Sequence, residues 1–320
     1  MPSESAFPGW ASDTNYTVGS YRGSPTKVAP SAAEEAQGFV DGQSFHSGYA
    51  NYHVARIESW LADTARAIYG DGSDGNATIT GGTTTLTRDM YYDNLTVEST
   101  GVLATNGFRV FVRDLLTVEA SGVIHNDGGN ASGATAGVGV VGSINGGGDG
   151  GSTGPVAPDS VSNGLGGSGG DGGASGTTGQ TAATPTVPPA TSGGYRDLHT
   201  LMTSYLIDGN YLRGGGGGGA GEDNGASGGG GGAGGGIVLI CAFRVSNEGA
   251  IRAAGGNGGN GTGSNAAGGG AGGGGLVILV SRGYEGAGTV TAPTGTVGTG
   301  SGTGQDGYPG TSGTVLQVTA

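Results

Sequence analysis

Between residues 214 and 295 the chain writes one pattern twice: glycine runs, then a short unbroken apolar stretch. The first copy has glycine at 214–219 and 228–232, then Ala233-Gly-Gly-Gly236 and the apolar Ile237-Val-Leu-Ile-Cys-Ala242. The second has Gly268-Gly-Gly-Ala-Gly-Gly-Gly-Gly275, then Leu276-Val-Ile-Leu-Val280. Glu248-Gly-Ala250 matches Glu285-Gly-Ala287, a period of about 38 residues, in the range of stacked repeat arrays. A lone apolar strand cannot bury itself, so each unit must lie against its neighbour. Glycine has no Cβ and lets backbones approach closely. An extended glycine chain can also turn once every three residues, leaving its backbone polar groups to be paired by neighbours. A flexible linker has no need of apolar strands at a repeated offset. Collagen does not fit, because glycine does not hold every third position.

Glycine makes up 79 of 320 residues, while 12% are charged and 6% aromatic. Such a chain cannot fill a conventional core along most of its length. It suits an elongated, layered body held by backbone hydrogen bonds. Glycine also loses the most backbone entropy on folding, so oligomerisation is expected to help. A net charge of −13, with no Lys/Arg cluster, argues against a nucleic-acid partner. No stretch approaches the roughly 18 apolar residues of a membrane-spanning helix, so no membrane insertion is expected. Met1-Pro-Ser-Glu4 opens no signal peptide. The single cysteine, Cys241, lies in an apolar strand and reads as a buried small residue, in keeping with synthesis in a reducing cytoplasm. Sequons at Asn15, Asn76, Asn94, Asn130 and Asn260 read as chance in a Ser/Thr/Gly-rich chain.

Residues 1–46, with Pro8, Pro25 and Pro30, have no sustained period and read as an extended docking arm. Residues 47–70 predict the one strong helix. Ala50, Val54, Ile57, Leu61, Thr64 and Ile68 alternate four- and three-residue spacings, a heptad seam, and Gly70 is a suitable stop. About three heptads are marginal alone. A homotrimer through Ala50, Val54, Ile57, Leu61 and Ile68 would resolve that.

Residues 71–128 read as a short β-repeat module. Leu95-Thr-Val-Glu-Ser-Thr-Gly-Val-Leu103 matches Leu116-Thr-Val-Glu-Ala-Ser-Gly-Val-Ile124, a repeat of about 21 residues. Between them lies the alternating Gly107-Phe-Arg-Val-Phe-Val112. Asn106-Gly107 and Asn126-Asp-Gly128 are turn signals. The unit Val-x-x-x-Gly-x-(Leu/Ile) returns at Val245-Ser-Asn-Glu-Gly-Ala-Ile251. Residues 129–320 then form the glycine-rich domain. It carries a low-complexity tract around Pro185-Thr-Val-Pro-Pro189, a short amphipathic helical insert at 196–207 and a final strand at Val315-Leu-Gln-Val318. The fold class expected is mostly β: an elongated β-solenoid or β-helix with polyglycine-II-like layers and one N-terminal α-helix, trimeric.

Several of these stretches also carry a resemblance. Pro25-Thr-Lys-Val28, Pro30-Ser31, Gly38-Phe39 and the Asn51-Tyr52 helix ending near Trp60 resemble the N-terminal segment of tailed-bacteriophage fibre and tail proteins. Tyr69-Gly-Asp-Gly-Ser-Asp-Gly75 and Leu86-Thr-Arg-Asp-Met-Tyr-Tyr-Asp-Asn-Leu95 are similar to a module common in phage virion proteins. The likeness spans residues 20 to 130 or so. It carries no chemistry and implies a virion context. The glycine-rich half resembles phage adhesins and bacterial surface solenoids.

Chemical motifs are sparse. Glu98 and Glu119 fall at the same place in successive repeats, but a glycosidase-like pair is a weaker reading than a solvated face. Asp71, Asp74 and Asn76 suggest an oxygen-rich loop, yet Gly82 stands where an EF-hand needs glutamate, so a turn fits better. His46, His53, His125 and His199 have no metal spacing, and no catalytic triad or phosphate-binding loop is recognisable. The expectation is therefore a virion protein, not an enzyme, with no cofactor or metal. It is a tail fibre or tail-tip adhesin, docked on other virion proteins through residues 1–69 and touching a host receptor or glycan through its glycine-rich half. Tyr195, Tyr205 and Tyr211 are the candidate receptor contacts. A head fibre or decoration protein and a polysaccharide depolymerase are the alternatives.

Overall fold

A computed structural model of the chain describes residues 67–140, 147–151, 166–173, 214–222 and 227–319. The chain divides into two units, Met1–Ile68 and Tyr69–Ala320; apart from Ala67 and Ile68, the described residues belong to the second. Ala67–Tyr69 form a single 3-10 turn, and no α-helix occurs among the described residues. The rest of the predicted helix, the 1–46 arm and the 196–207 insert lie outside them.

Eleven strands build two sheets. They are β1 (Gly75–Ile79), β2 (Gly82–Thr85), β3 (Met90–Val97), β4 (Gly101–Ala104), β5 (Val110–Val118), β6 (Val123–His125), β7 (Ile237–Asn247), β8 (Ala250–Arg252), β9 (Leu276–Glu285), β10 (Thr289–Thr291) and β11 (Thr314–Thr319). The six-stranded sheet has the order β1-β3-β5-β7-β9-β11 and the five-stranded sheet β10-β8-β6-β4-β2. Every pairing is parallel.

This corrects the expected fold class. The architecture is a pair of parallel β-sheets, where an elongated β-solenoid or β-helix was expected. The reason is visible in the chain length between hydrogen-bonded neighbours. Asn94 and Leu115 are 21 residues apart, Asn130 and Asn257 are 127 apart, and Asn257 and Thr296 are 39 apart. Glycine runs intervene between strands that pair directly, so no single repeat length is kept. The pairings β5–β7 and β6–β8 carry both sheets across residue 128.

Between the sheets, Leu95, Val97, Val112, Leu116, Ile124, Ile240, Ile251 and Leu279 form the main core at 0–1% exposure. Strands β3 and β5 largely alternate buried and half-buried residues, as one-faced strands do. The first six residues of β7 and of β9 are buried on both faces, which is why Ile237-Val-Leu-Ile-Cys-Ala and Leu276-Val-Ile-Leu-Val read as continuous apolar runs. Their other side makes a second cluster of Ile237, Leu239, Cys241, Leu276, Ile278, Val280 and Tyr69.

The repeated Val-x-x-x-Gly motif marks the corner where the chain leaves one sheet for the other. Glu119 donates its N–H to Val97 O at 2.9 Å and Gly122 donates to Glu119 O at 2.8 Å; Glu248 N–H then reaches Val118 O at 2.8 Å. A Cβ on Gly122 would stand 2.8 Å from Val97 O, so the stacked corner admits only glycine without rearrangement.

The glycine runs leave the strands and pack beside one another with a three-residue rhythm. In 228–236, the N–H groups of Gly229, Gly232 and Gly235 reach Ala267, Gly270 and Gly273. Those of Gly230, Ala233 and Gly236 reach Gly133, Gly129 and Asn126, and those of Gly231 and Gly234 reach Gly151 and Gly148. Successive residues thus donate to three different neighbours, the distribution that a chain turning once in three residues gives. Buried backbone groups find partners without any side chain.

Candidate functional site

The five-stranded sheet presents an outer face that continues into the glycine layers. Ile251 of β8 points into the core, leaving Ala250 and Arg252 half-buried on the other side; Thr289 and Thr291 of β10 occupy the same columns. Beyond the strands, spacing on this face changes from two residues to three. Gly255, Gly258 and Gly261 donate to Pro293, Thr296 and Thr299 at 2.8–2.9 Å. Asn257, Asn260, Thr296 and Thr299 therefore recur on one exposed side.

Side chains tie these rows in register. Asn130 Oδ1 accepts the N–H of Asn257 at 2.8 Å, and Asn257 Oδ1 accepts the N–H of Thr296 at 2.8 Å. One step along, Asn260 Oδ1 accepts the N–H of Thr299 at 2.9 Å. On the strand side, Asp127 Oδ1 accepts the N–H of Ala254 at 2.8 Å, and Oδ2 takes Arg252 Nε at 2.9 Å and lies 3.1 Å from His125 Nδ1. Burial alone would push the Asp127 carboxyl up. The hydrogen bond with His125, the Ala254 N–H and the Arg252 charge outweigh it and hold the carboxyl below its ordinary range.

Of the carboxylates singled out from sequence, Glu119, Asp71 and Asp74 have structural duties. Glu119 Oε2 accepts the N–H of Ser99 at 3.2 Å and Glu248 Oε2 that of Ala287 at 3.3 Å, so the repeated glutamate caps the corner of a neighbouring layer. Asp71 accepts from Ser73 N–H at 3.0 Å, Asp74 is gripped by Arg88 at 2.6 and 3.0 Å and accepts Tyr91 N–H at 2.8 Å, and Asn76 accepts from Asn94 Nδ2 at 3.0 Å. The Arg88 hydrogen bond, then the Tyr91 N–H, keep the Asp74 carboxyl below its usual range. This is turn chemistry. Among the described residues no group of three His, Cys, Asp or Glu side chains could hold a metal ion. Cys241 is 3% exposed, and burial pushes its thiol up to about 12.

Of the oligomerisation residues, Ile68 is described and 37% exposed; Ala50, Val54, Ile57 and Leu61 lie outside the described residues, as do Tyr195, Tyr205 and Tyr211. His46, His53 and His199 also fall outside. The polar rows of Asn130, Asn257, Asn260, Thr296 and Thr299 were missed from sequence. Their signal was the three-residue spacing of Asn257 with Asn260 and of Thr296 with Thr299, hidden because Asn130 and Asn260 passed for chance sequons. Comparison with protein-family models, curated proteins and solved structures found no match to this chain.

Proposed function

We propose that the chain is a bacteriophage virion protein, a tail fibre or tail-tip adhesin that binds rather than catalyses. Its N-terminal 69 residues dock on other virion proteins and trimerise. Its glycine-rich half meets the host surface. The observation that carries this reading is the glycine body itself. Its interior runs are locked to neighbouring runs chiefly through backbone hydrogen bonds, a stiff support on which exposed side chains can be presented for recognition. The resemblance of residues 20–130 to phage fibre modules supports the same polarity. The sheet corners and the Asp74 turn use their carboxylates as caps, which favours binding over a depolymerase. Immunogold electron microscopy of phage particles with antibodies against the full-length chain tests the reading. Label at the tail or its tip is expected. Label on the head moves the protein to a head fibre, and particles without label remove it from the virion.

A further inference from the structure

The rows of Asn130, Asn257, Asn260, Thr296 and Thr299 have a chemistry that register alone does not require. Each asparagine spends its Oδ1 on the N–H of the next row. No described residue accepts from the Nδ2 group of Asn130, Asn257 or Asn260. Because the oxygen is anchored, the amide plane is fixed, and each NH2 is held ready in one orientation at an exposed position. The threonine hydroxyls of Thr296 and Thr299 continue the same rows. Donors recur about 9 Å apart along a run, three residues at about 3.1 Å each, and roughly 4.8 Å apart between rows, the usual spacing of hydrogen-bonded extended chains.

We propose that this face binds an uncharged polysaccharide. A rigid, repeating array of amide and hydroxyl donors suits a polymer with repeating hydroxyl and ether-oxygen acceptors. The outward residues at these positions include no Tyr, Trp or Phe, the anchors a protein partner wants. The basic side chains beside these rows, Arg252 and His125, are already engaged by Asp127. With a net charge of −13, the protein repels anionic polymers and nucleic acid. The inference rests on the adhesin reading only in placing the polymer on a host cell.

Asn→Asp separates this role from a structural one. The substitution keeps the oxygen that accepts the neighbouring N–H and removes the NH2. Full-length protein is applied to an array of neutral polysaccharides (dextran, mannan, galactomannan and neutral O-polysaccharides) and of anionic ones (alginate, hyaluronate). Binding to a neutral polymer is expected. The double variant Asn257→Asp/Asn260→Asp should bind it about tenfold more weakly or worse, for two lost hydrogen bonds, with the melting temperature of wild type. Thr296→Val/Thr299→Val should weaken it in the same direction. The proposal is overturned if no neutral polymer binds, if anionic polymers bind better, or if both double variants bind as wild type. Host-cell binding that is unchanged in the variants sinks this face and leaves the adhesin reading. Donor-dependent polymer binding by a protein that attaches to no host cell does the reverse.

Discussion

The side-chain Nδ2 of Asn126 donates to the carbonyl of Ile237 at 2.9 Å across 111 residues of chain. Both residues are buried, at 2% and 0% exposure. The bond joins the end of β6 to the start of β7, where the glycine layers meet the sheets. Asn126→Ala would leave the Ile237 carbonyl without this donor. We expect a loss of about 1–3 kcal/mol, measured by denaturant unfolding; a variant as stable as wild type would show that the carbonyl finds another partner.

Acid should weaken the fold through Asp127. Its folded carboxyl is held below the ordinary value, so its contribution is complete above the unfolded pKa, about 4, and is lost as pH falls through the folded value. The stability difference between wild type and Asp127→Asn should therefore be largest near neutrality and shrink below about pH 4. A difference that is constant across this range contradicts the assignment.

Asp171 works in the opposite sense. Only 9% exposed, its carboxyl is raised by burial. A raised acid penalises the folded state once ionised, so stability falls as pH rises through the interval between its unfolded and folded values. Asp171→Asn should raise the melting temperature at neutral pH, and the gain should vanish on acidification below about pH 4. Equal melting temperatures at neutral pH would count against it.

Glycines in the layers and in the strands should answer differently to a methyl group. A Cβ on Gly272 would collide with the Ala233 carbonyl, whereas at Gly283 in β9 nothing lies within 4 Å. Gly272→Val should cost about 1–3 kcal/mol or more, and Gly283→Ala should be neutral or add about 0.4–1 kcal/mol. Thermal melts of the two variants side by side decide this; similar melts would mean the runs are slack.

The heptad seam supplies the assembly prediction. If the proposed trimer forms through this seam, Ile57→Asp with Leu61→Asp should leave monomers or aggregates in place of a wild-type trimer, read by multi-angle light scattering. An unchanged trimer would place the assembly element elsewhere.

Local features were legible in the sequence. The apolar runs became β7 and β9, Val315-Leu-Gln-Val318 fell within β11, and Asn106-Gly107 turn with φ of 50° and 73°. Spacing alone did not reveal the pairing of Val110 with Ile240, nor the bond from Asn130 to Asn257. Both depend on how much chain departs and returns between neighbours, and glycine runs carry no side-chain code for that length. The period read from the two apolar strands does recur, since Ile237 pairs with Leu276 and Leu276 with Thr314, but it does not extend back across the β5–β7 pairing. The Asn and Thr rows escaped notice because a polar residue every third position has no meaning until the backbone is known to turn in three.

The three-way bonding of 228–236 bears on how such a protein can change over generations. Every single-base change in a glycine codon that alters the amino acid adds at least a Cβ. At Gly231 that atom would meet the Gly218 carbonyl, and at Gly234 the Gly215 carbonyl. Inherited variation is thus steered away from the slab's interior. It can accumulate at outward positions such as 296 and 299, so the chemistry of the rim can be rewritten on an unaltered frame.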